Sequence, residues 1–409
     1  METASVSTSS NSLTIPSTEG KEYKVYNTFD DMNLSDNLLR GIYGHGFEKP
    51  SPIQQRGIKP IAEGSDILAQ AQSGTGKTGT FCIGSMARCD PALKTPQVLV
   101  LTPTRELAQQ IETVAKAISS KIPLSVYCAV GGTELHHDLR ALDKGAQFIV
   151  GTPGRIYDLM NRKALTGGGP ALPRNNIRVL IMDEADQMLE DKFHEQVMCI
   201  LDLGFPQSTQ VALFSATMPP EVIAVASRLL RNPVKILIPP EEVTLDGIKQ
   251  HFVEVPKEEW KIEALQDIYS QLNINQAMIY CNKRQRVEWL AEKLGTQGFP
   301  LSFIHGEMDV GERKRRMQEF RNGSVRVLIS TDLLARGIDV QQVSLVINYE
   351  LPTSQENYIH RIGRSGRFGR KGTAINLVGP DEVLMLKEIE KHYATSITPL
   401  PEDLGKVMS

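Results

Sequence analysis

Short apolar runs recur along the chain, and each ends in a knot of Gly, Pro or polar residues. The first half carries them at 67–69, 97–101, 148–150, 179–182 and 211–214; the second at 277–280, 301–304, 325–329, 345–348 and 374–378. Their shortness and their lack of polar alternation predict strands covered on both faces, as in parallel sheets. The amphipathic stretches between them predict helices. Residues 234–240 run into Pro239-Pro240-Glu241-Glu242, which suits neither a central strand nor a helix interior and reads as a linker. The pattern therefore predicts two doubly wound α/β domains with parallel sheets, at 23–237 and 247–400, joined by a flexible tether at 238–246. A polar, Ser/Thr-rich tail (1–22) has too little apolar content to order itself, and a short tail (401–409) closes the chain.

Composition narrows this picture. A chain of 409 residues with 41% hydrophobic content has room for two proper cores, and no apolar run reaches the roughly 20 residues of a membrane span. The first 20 residues lack a basic and then apolar leader, so an intracellular, cytoplasmic protein without membrane contact is expected. Five cysteines without a C-x-x-C pair read as free thiols of a reducing compartment. A net charge of −3 argues against a bulk-charge coat for nucleic acid; such binding has to be local and conditional.

The polar knots carry the chemistry, because ligands of open parallel sheets bind at the carboxyl ends of strands. Ala71-Gln72-Ser73-Gly74-Thr75-Gly76-Lys77-Thr78 follows the first run and reads as a P-loop. Backbone N–H groups from Ser73 to Gly76 can wrap phosphates, Lys77 supplies a charge to the outer ones, and the Thr78 hydroxyl is placed to ligate Mg²⁺. The helix that follows turns its positive end to the same anion. Ala71 stands at the first glycine position, a small-for-small exchange. Further on, Asp183-Glu184-Ala185-Asp186 closes the run 179–182 as a Walker B site does. Asp183 can hold Mg²⁺ opposite Thr78, and Glu184 can orient or deprotonate an attacking water.

In this context Asp-Glu-Ala-Asp resembles the signature of the DEAD-box ATP-dependent RNA helicases, and the resemblance covers residues 23–400. It implies two tandem RecA-like domains, ATP and Mg²⁺ as the nucleotide and its metal, and single-stranded or short duplex RNA as partner. Gly46-Phe47-Glu48-Lys49-Pro50-Ser51-Pro52-Ile53-Gln54 resembles the family's Q motif, which implies that Gln54 reads adenine and that Phe29 packs on the ring. Pro103, Thr104, Arg105, Gly132, Thr152, Pro153, Gly154 and Arg155 match its RNA-backbone contacts, hydroxyls, glycine N–H groups and arginines being what a phosphate–sugar track needs. Ser215 and Thr217 resemble the motif that couples hydrolysis to strand separation, through Asp186.

The second domain supplies Asn282, Thr331, Gly337 and Asp339, then His360-Arg361-Ile362-Gly363-Arg364-Ser365-Gly366-Arg367. By resemblance Asn282 and Thr331 meet RNA, Gly337 and Asp339 the nucleotide, and His360 and Arg361 take part in coupling. Arg364 and Arg367 reach the γ-phosphate as arginine fingers in cis, joining Lys77, Asp183 and Glu184 as the catalytic set. Since the two sets lie in different domains, catalysis requires a closed cleft, and ATP and RNA should each tighten binding of the other. Within the family the chain is most similar to the translation initiation factor 4A branch, with the exon-junction clamp as the alternative. A monomer served by a scaffold that bridges its domains is expected.

Beyond Ala71, the chain departs from the family at three places, and two further clusters need a reading. Val310 stands where a Gln is usual, ahead of Arg313, and Lys283 where Thr is usual after Asn282. Gly167-Gly168-Gly169-Pro170 predicts a long exposed loop. Arg313-Lys314-Arg315-Arg316 reads as a solvated helix face rather than a nuclear address. Glu134, His136, His137 and Asp138 read as surface polarity rather than a metal site.

Overall fold

The computed structural model describes residues 24–71, 74–189, 191–237, 248–272, 276–335, 343–365 and 372–401. The expected N-terminal tail (1–22) and linker (238–246) lie outside them. In the first domain the strands are β1 (Ile67–Gln70), β2 (Val98–Leu101), β3 (Val126–Ala129), β4 (Phe148–Gly151), β5 (Val179–Met182), β6 (Gln210–Ser215) and β7 (Val234–Leu237). They form one sheet in the order β3-β4-β2-β5-β6-β1-β7. In the second, β8 (Ile248–Glu254), β9 (Ala277–Tyr280), β10 (Leu301–Ile304), β11 (Val327–Ser330), β12 (Leu345–Asn348), β13 (Gly372–Val378) and β14 (Thr398–Pro399) give the order β10-β11-β9-β12-β13-β8-β14. Every pairing between these strands is parallel. The two tandem RecA-like sheets agree with the expected fold class.

The absence of alternation in the apolar runs is explained by where successive residues go. Val98 and Val100 of β2 enter one core with Phe81, Ile111 and Phe214, while Leu99 and Leu101 enter another, on the opposite face, with Ile156, Leu180 and Val222. The second sheet repeats this: Ala277 and Ile279 face one core, Met278 and Tyr280 the other. A residue pointing either way is buried, so both registers must be apolar. Pairing fixes where the strands stop. In β1, Ile67 lies beside Ala212 of β6 and Val234 of β7, so β1 ends level with Ser215 and the P-loop emerges beside it.

Strand edges are where the periodicity differs. Val126–Ala129 is an edge strand of the first sheet, fully buried only at its two ends; its apolar run of Val, Tyr, Cys and Ala is not among the strands expected above. Ile248–Glu254 is mostly half-buried and mixes Lys, Gln and His with apolar residues. The expected Gly167–Pro170 loop is an exposed reversal. Ala164 N–H donates to the Gly169 carbonyl at 2.9 Å, and Gly167 and Gly168 have φ of 78° and 68°, which glycine adopts at little cost.

Candidate nucleotide and nucleic-acid sites

The P-loop turn passes into the helix Lys77–Met86 through two glycines with positive φ, Gly74 at 88° and Gly76 at 102°. A Cβ on Gly76 would stand 2.6 Å from Ser51 Oγ and 3.0 Å from Gln54 Nε2, so the close approach of the Q-motif helix requires glycine here. That helix, Pro52–Glu63, begins with proline at its first turn. Gln54 is 2% exposed; its Oε1 accepts from Ser51 N–H at 2.9 Å and its Nε2 faces the Gly76 carbonyl at 3.4 Å. The glutamine thus ties the loop before its helix to the P-loop. Phe29 lies wholly within the core, edge-on to Tyr43 at 6.1 Å, while Phe47 approaches Gly79 beneath the P-loop. Ser73, Gly337, Asp339 and Arg367 lie outside the described residues.

Lys77 is buried and its Nζ sits 3.0 Å from Glu184 Oε1 and 4.0 Å from Asp183 Oδ1. Burial alone would lower its pKa, but the two carboxylates outweigh it and the ammonium is held more firmly than usual. Asp183 is raised to about 7, chiefly by burial, with Glu184 adding to it and Lys77 opposing. Glu184 adopts a left-handed backbone (φ 53°, ψ 51°), a conformation that costs a non-glycine residue about 1 kcal/mol. It turns the chain sharply between β5 and the helix Ala185–Met188, and Glu184 N–H is held by Asp183 Oδ1 at 3.1 Å. The buried Asp183 carboxylate and the Thr78 hydroxyl make a donor set of hard oxygens beside a glycine turn whose N–H groups suit phosphate. That set fits Mg²⁺ brought in with phosphate, and the described residues contain no all-protein metal cluster.

The residues expected to couple hydrolysis to strand separation meet across the two domains. Asp186 N–H donates to Ser215 Oγ at 3.1 Å, and Thr217 Oγ1 donates to Asp186 Oδ2 at 2.9 Å. From the second domain His360 brings Nε2 to 3.9 Å of the same carboxylate oxygen, with both side chains buried. Arg364 is buried just after the helix Gln355–Ile362, its Nε donating to the His360 carbonyl at 3.2 Å.

Arg361 works inside its own domain. It is fully buried, with Nε donating to Asp332 Oδ1 (2.5 Å), Nη1 to the Glu350 carbonyl (2.7 Å) and Nη2 to Asn282 Oδ1 (2.6 Å). Asn282 in turn donates Nδ2 to the Leu351 carbonyl at 2.8 Å, and its N–H to Glu350 Oε2 at 2.7 Å. One guanidinium thus fastens the loops at the carboxyl ends of β9, β11 and β12.

Between the domains runs a cleft of about 1920 Å³ lined by Pro103, Thr104, Arg105, Thr152, Pro153, Gly154 and Arg155 on one wall and Asn282 and Thr331 on the other. The residues expected to meet RNA are therefore brought together, apart from Gly132, which sits at the seam instead. Two of them also have local structural work. Thr104 Oγ1 accepts from Leu107 N–H (3.3 Å) and caps the helix Arg105–Ile118. Arg155 pairs with buried Asp138, which also accepts from Tyr127 OH at 2.7 Å. Asp138 is accordingly no surface residue, contrary to the reading of that cluster.

The seam holds residues that sequence reasoning placed elsewhere. Arg313, expected on a solvated face, is 7% exposed, and its Nη2 meets Glu106 Oε1 of the other domain at 2.5 Å; Glu106 is 10% exposed. Beside the pair, Val310 presses on Gly132, where an added Cβ would lie 2.4 Å from Val310 Cγ2. Arg105 lies against the same glycines, and its pKa is lowered by burial and then by Arg313. The signal available in the sequence was the Val310 departure itself.

Comparison with known proteins agrees with this geometry. Residues 51–225 match the DEAD/DEAH box helicase family and residues 260–369 the helicase conserved C-terminal domain. The chain belongs to the DEAD-box helicases. It is 52% identical over 381 residues to the ATP-dependent RNA helicase eIF4A of Neurospora crassa, covering 93% of this chain and 94% of that one. The eIF4A of Aspergillus clavatus is 52% identical over 385 residues, with 94% and 95% covered. Among solved structures, Saccharomyces cerevisiae Dbp5 bound to RNA and ADP BeF3 superposes with a TM-score of 0.86 at 34% identity, covering 93% of this chain and 97% of that one.

Proposed function

We propose that this chain is an ATP-dependent RNA helicase of the initiation factor 4A type, which separates short RNA duplexes during translation initiation. Relatives bearing the initiation-factor name at 52% identity favour this over the exon-junction alternative. The observation that carries the mechanism is the meeting of Asp186, Ser215 and Thr217 with His360 across the seam. Lys77 is the cation for the outer phosphates and releases its carboxylate partners when it takes them. Glu184, next to Asp183, is then positioned to orient the attacking water. Asp183 and Thr78 would hold Mg²⁺ with the nucleotide, and its charge would offset that of the phosphates. Arg364 and Arg367 add charge from the second domain, a contribution of roughly 10³–10⁵ in rate for residues of this kind. Gln54 and Phe29 serve the adenine end, with Gly337 and Asp339 on the ribose side.

RNA lies in the cleft against Thr104, Arg105, Gly154, Arg155, Asn282 and Thr331, held by its backbone and so without base preference. Closing both walls on one strand bends it and parts a short duplex locally. The protein acts as a cytoplasmic monomer, with a scaffold of the initiation machinery setting the distance between its domains. Hydrolysis of ATP with and without single-stranded RNA tests the reading. Stimulation by RNA, lost in Lys77→Ala and Glu184→Gln, is the expected result; equal rates with and without RNA would overturn it.

A further inference from the structure

The helix Arg284–Gly295 starts at the mouth of the cleft, where Lys283, Arg284 and Gln285 line the wall. Its buried face carries Val287, Leu290, Ala291 and Leu294. The exposed face is divided in two. Glu288 and Glu292 turn toward β10, where they line a groove with Leu301 and Phe303. On the other flank Gln285, Trp289 and Lys293 follow one another at single-turn spacing, all exposed. Arg286 adds a cation 5.4 Å from the Trp289 ring centre and is itself held by Glu258 (3.2 Å) and Glu350 (3.4 Å). Trp289 is 36% exposed, one of only two tryptophans in the chain. A large, partly exposed ring with the Arg286 guanidinium over it and Lys283 and Lys293 near the two ends of the same helix suits a stacking platform for a nucleic acid base.

We propose that Trp289 stacks a base of single-stranded RNA beyond the segment held in the cleft, with Lys283 and Lys293 meeting the adjoining phosphates. The occupant is RNA because the stripe is continuous with the wall that holds it and carries the opposite charge. The inference rests on the RNA-helicase reading and extends it: this chain grips a longer strand than its cleft alone spans. Because stacking uses the face common to all bases, the added grip carries little sequence preference.

The test uses the full chain with ADP–beryllium fluoride and oligouridylates of about 6 and about 15 nucleotides. In a Trp260→Phe background Trp289 is the sole tryptophan and is excited selectively at the red edge; the longer RNA quenches it and the shorter does not. Trp289→Ala weakens the longer RNA by about 5- to 150-fold, the range for one base on an aromatic ring, and leaves the shorter unchanged. Trp289→Phe retains most of the affinity, and Lys293→Glu, at an exposed position, reproduces the length-selective loss. Equal binding of the long RNA by Trp289→Ala and the parent, or equal quenching by both lengths, overturns the proposal. Failure of the short RNA to bind with nucleotide at all overturns the helicase reading, and this inference with it.

Discussion

Removing Arg313, which lines the cleft beside the domain seam, should disable closure while leaving the nucleotide pocket intact. Its guanidinium and the Glu106 carboxylate come from different domains, meet at 2.5 Å and are almost excluded from water. With the domains apart, each charge is solvated. When the domains of Arg313→Met close, Glu106 is buried without its cation, a penalty of about 3–5 kcal/mol. At about 1.4 kcal/mol per tenfold, closure weakens by roughly 150- to 5000-fold. The native pair is itself imperfect, since Glu106 Oε2 and Arg313 Nε have no hydrogen-bond partner among the described residues. Its net benefit is therefore small, and Glu106→Leu with Arg313→Met should close nearly as well as the parent. Donor and acceptor dyes on the two domains, read with ADP–beryllium fluoride and RNA, measure this directly. RNA-stimulated ATP hydrolysis should fall in step with the closed fraction, while ATP binding without RNA holds. Undiminished energy transfer in Arg313→Met, or a double variant no better than the single, would refute the reasoning.

Three other outcomes follow from the same geometry. Gly132→Ala places a methyl 2.4 Å from Val310 Cγ2, on a backbone with φ of 81°, so RNA-stimulated hydrolysis should drop at least tenfold and partly return with Val310→Ala; a wild-type rate in Gly132→Ala would contradict it. Thr217→Val leaves a buried carboxylate oxygen of Asp186 without its 2.9 Å donor, a loss of about 1–3 kcal/mol, and duplex separation should suffer more than ATP hydrolysis when both are assayed. His251 has a pKa lowered from 6.5, by burial first and Lys249 next, so the unfolded chain takes up its proton before the folded one does. Stability present above pH 6.5 is lost as pH falls from there through the lowered folded value, and urea midpoints at pH 7.5 and 5.5 should differ less in His251→Gln than in the parent.

The sheets were legible because their central strands are buried on both faces, which leaves short unbroken apolar runs: 179–182, 277–280 and 345–348 coincide with strands as they stand. Val126–Ala129 was less legible although its sequence is unbroken apolar: Tyr127 and Cys128, half-buried on an edge strand, signal a two-sided core more weakly than Val, Ile or Leu. Motif spelling located Lys77, Asp183, Asp186 and Thr217, because phosphate and water chemistry restrict residue type. Pairings between domains leave no local trace. Glu106 lies in a helix of one sheet's layer and Arg313 in a helix of the other's, and a run of basic residues around Arg313 reads as solvated until the partner is seen. Gln54 shows a similar limit: its residue type suits adenine, yet its neighbours in space are Ser51 and the Gly76 carbonyl.

Arg361 sets a rule for how this chain can vary. The Asn282 and Asp332 side chains and the Glu350 carbonyl come from three separate stretches and converge on one side chain, the Glu350 carboxylate joining them through the Asn282 N–H. Losses at these positions will therefore not sum, since the first breaks the knot that the others would have broken again. Natural drift has little room to exchange them one at a time. They should be inherited as a block, and that edge of the second domain should yield as a single stiff plate.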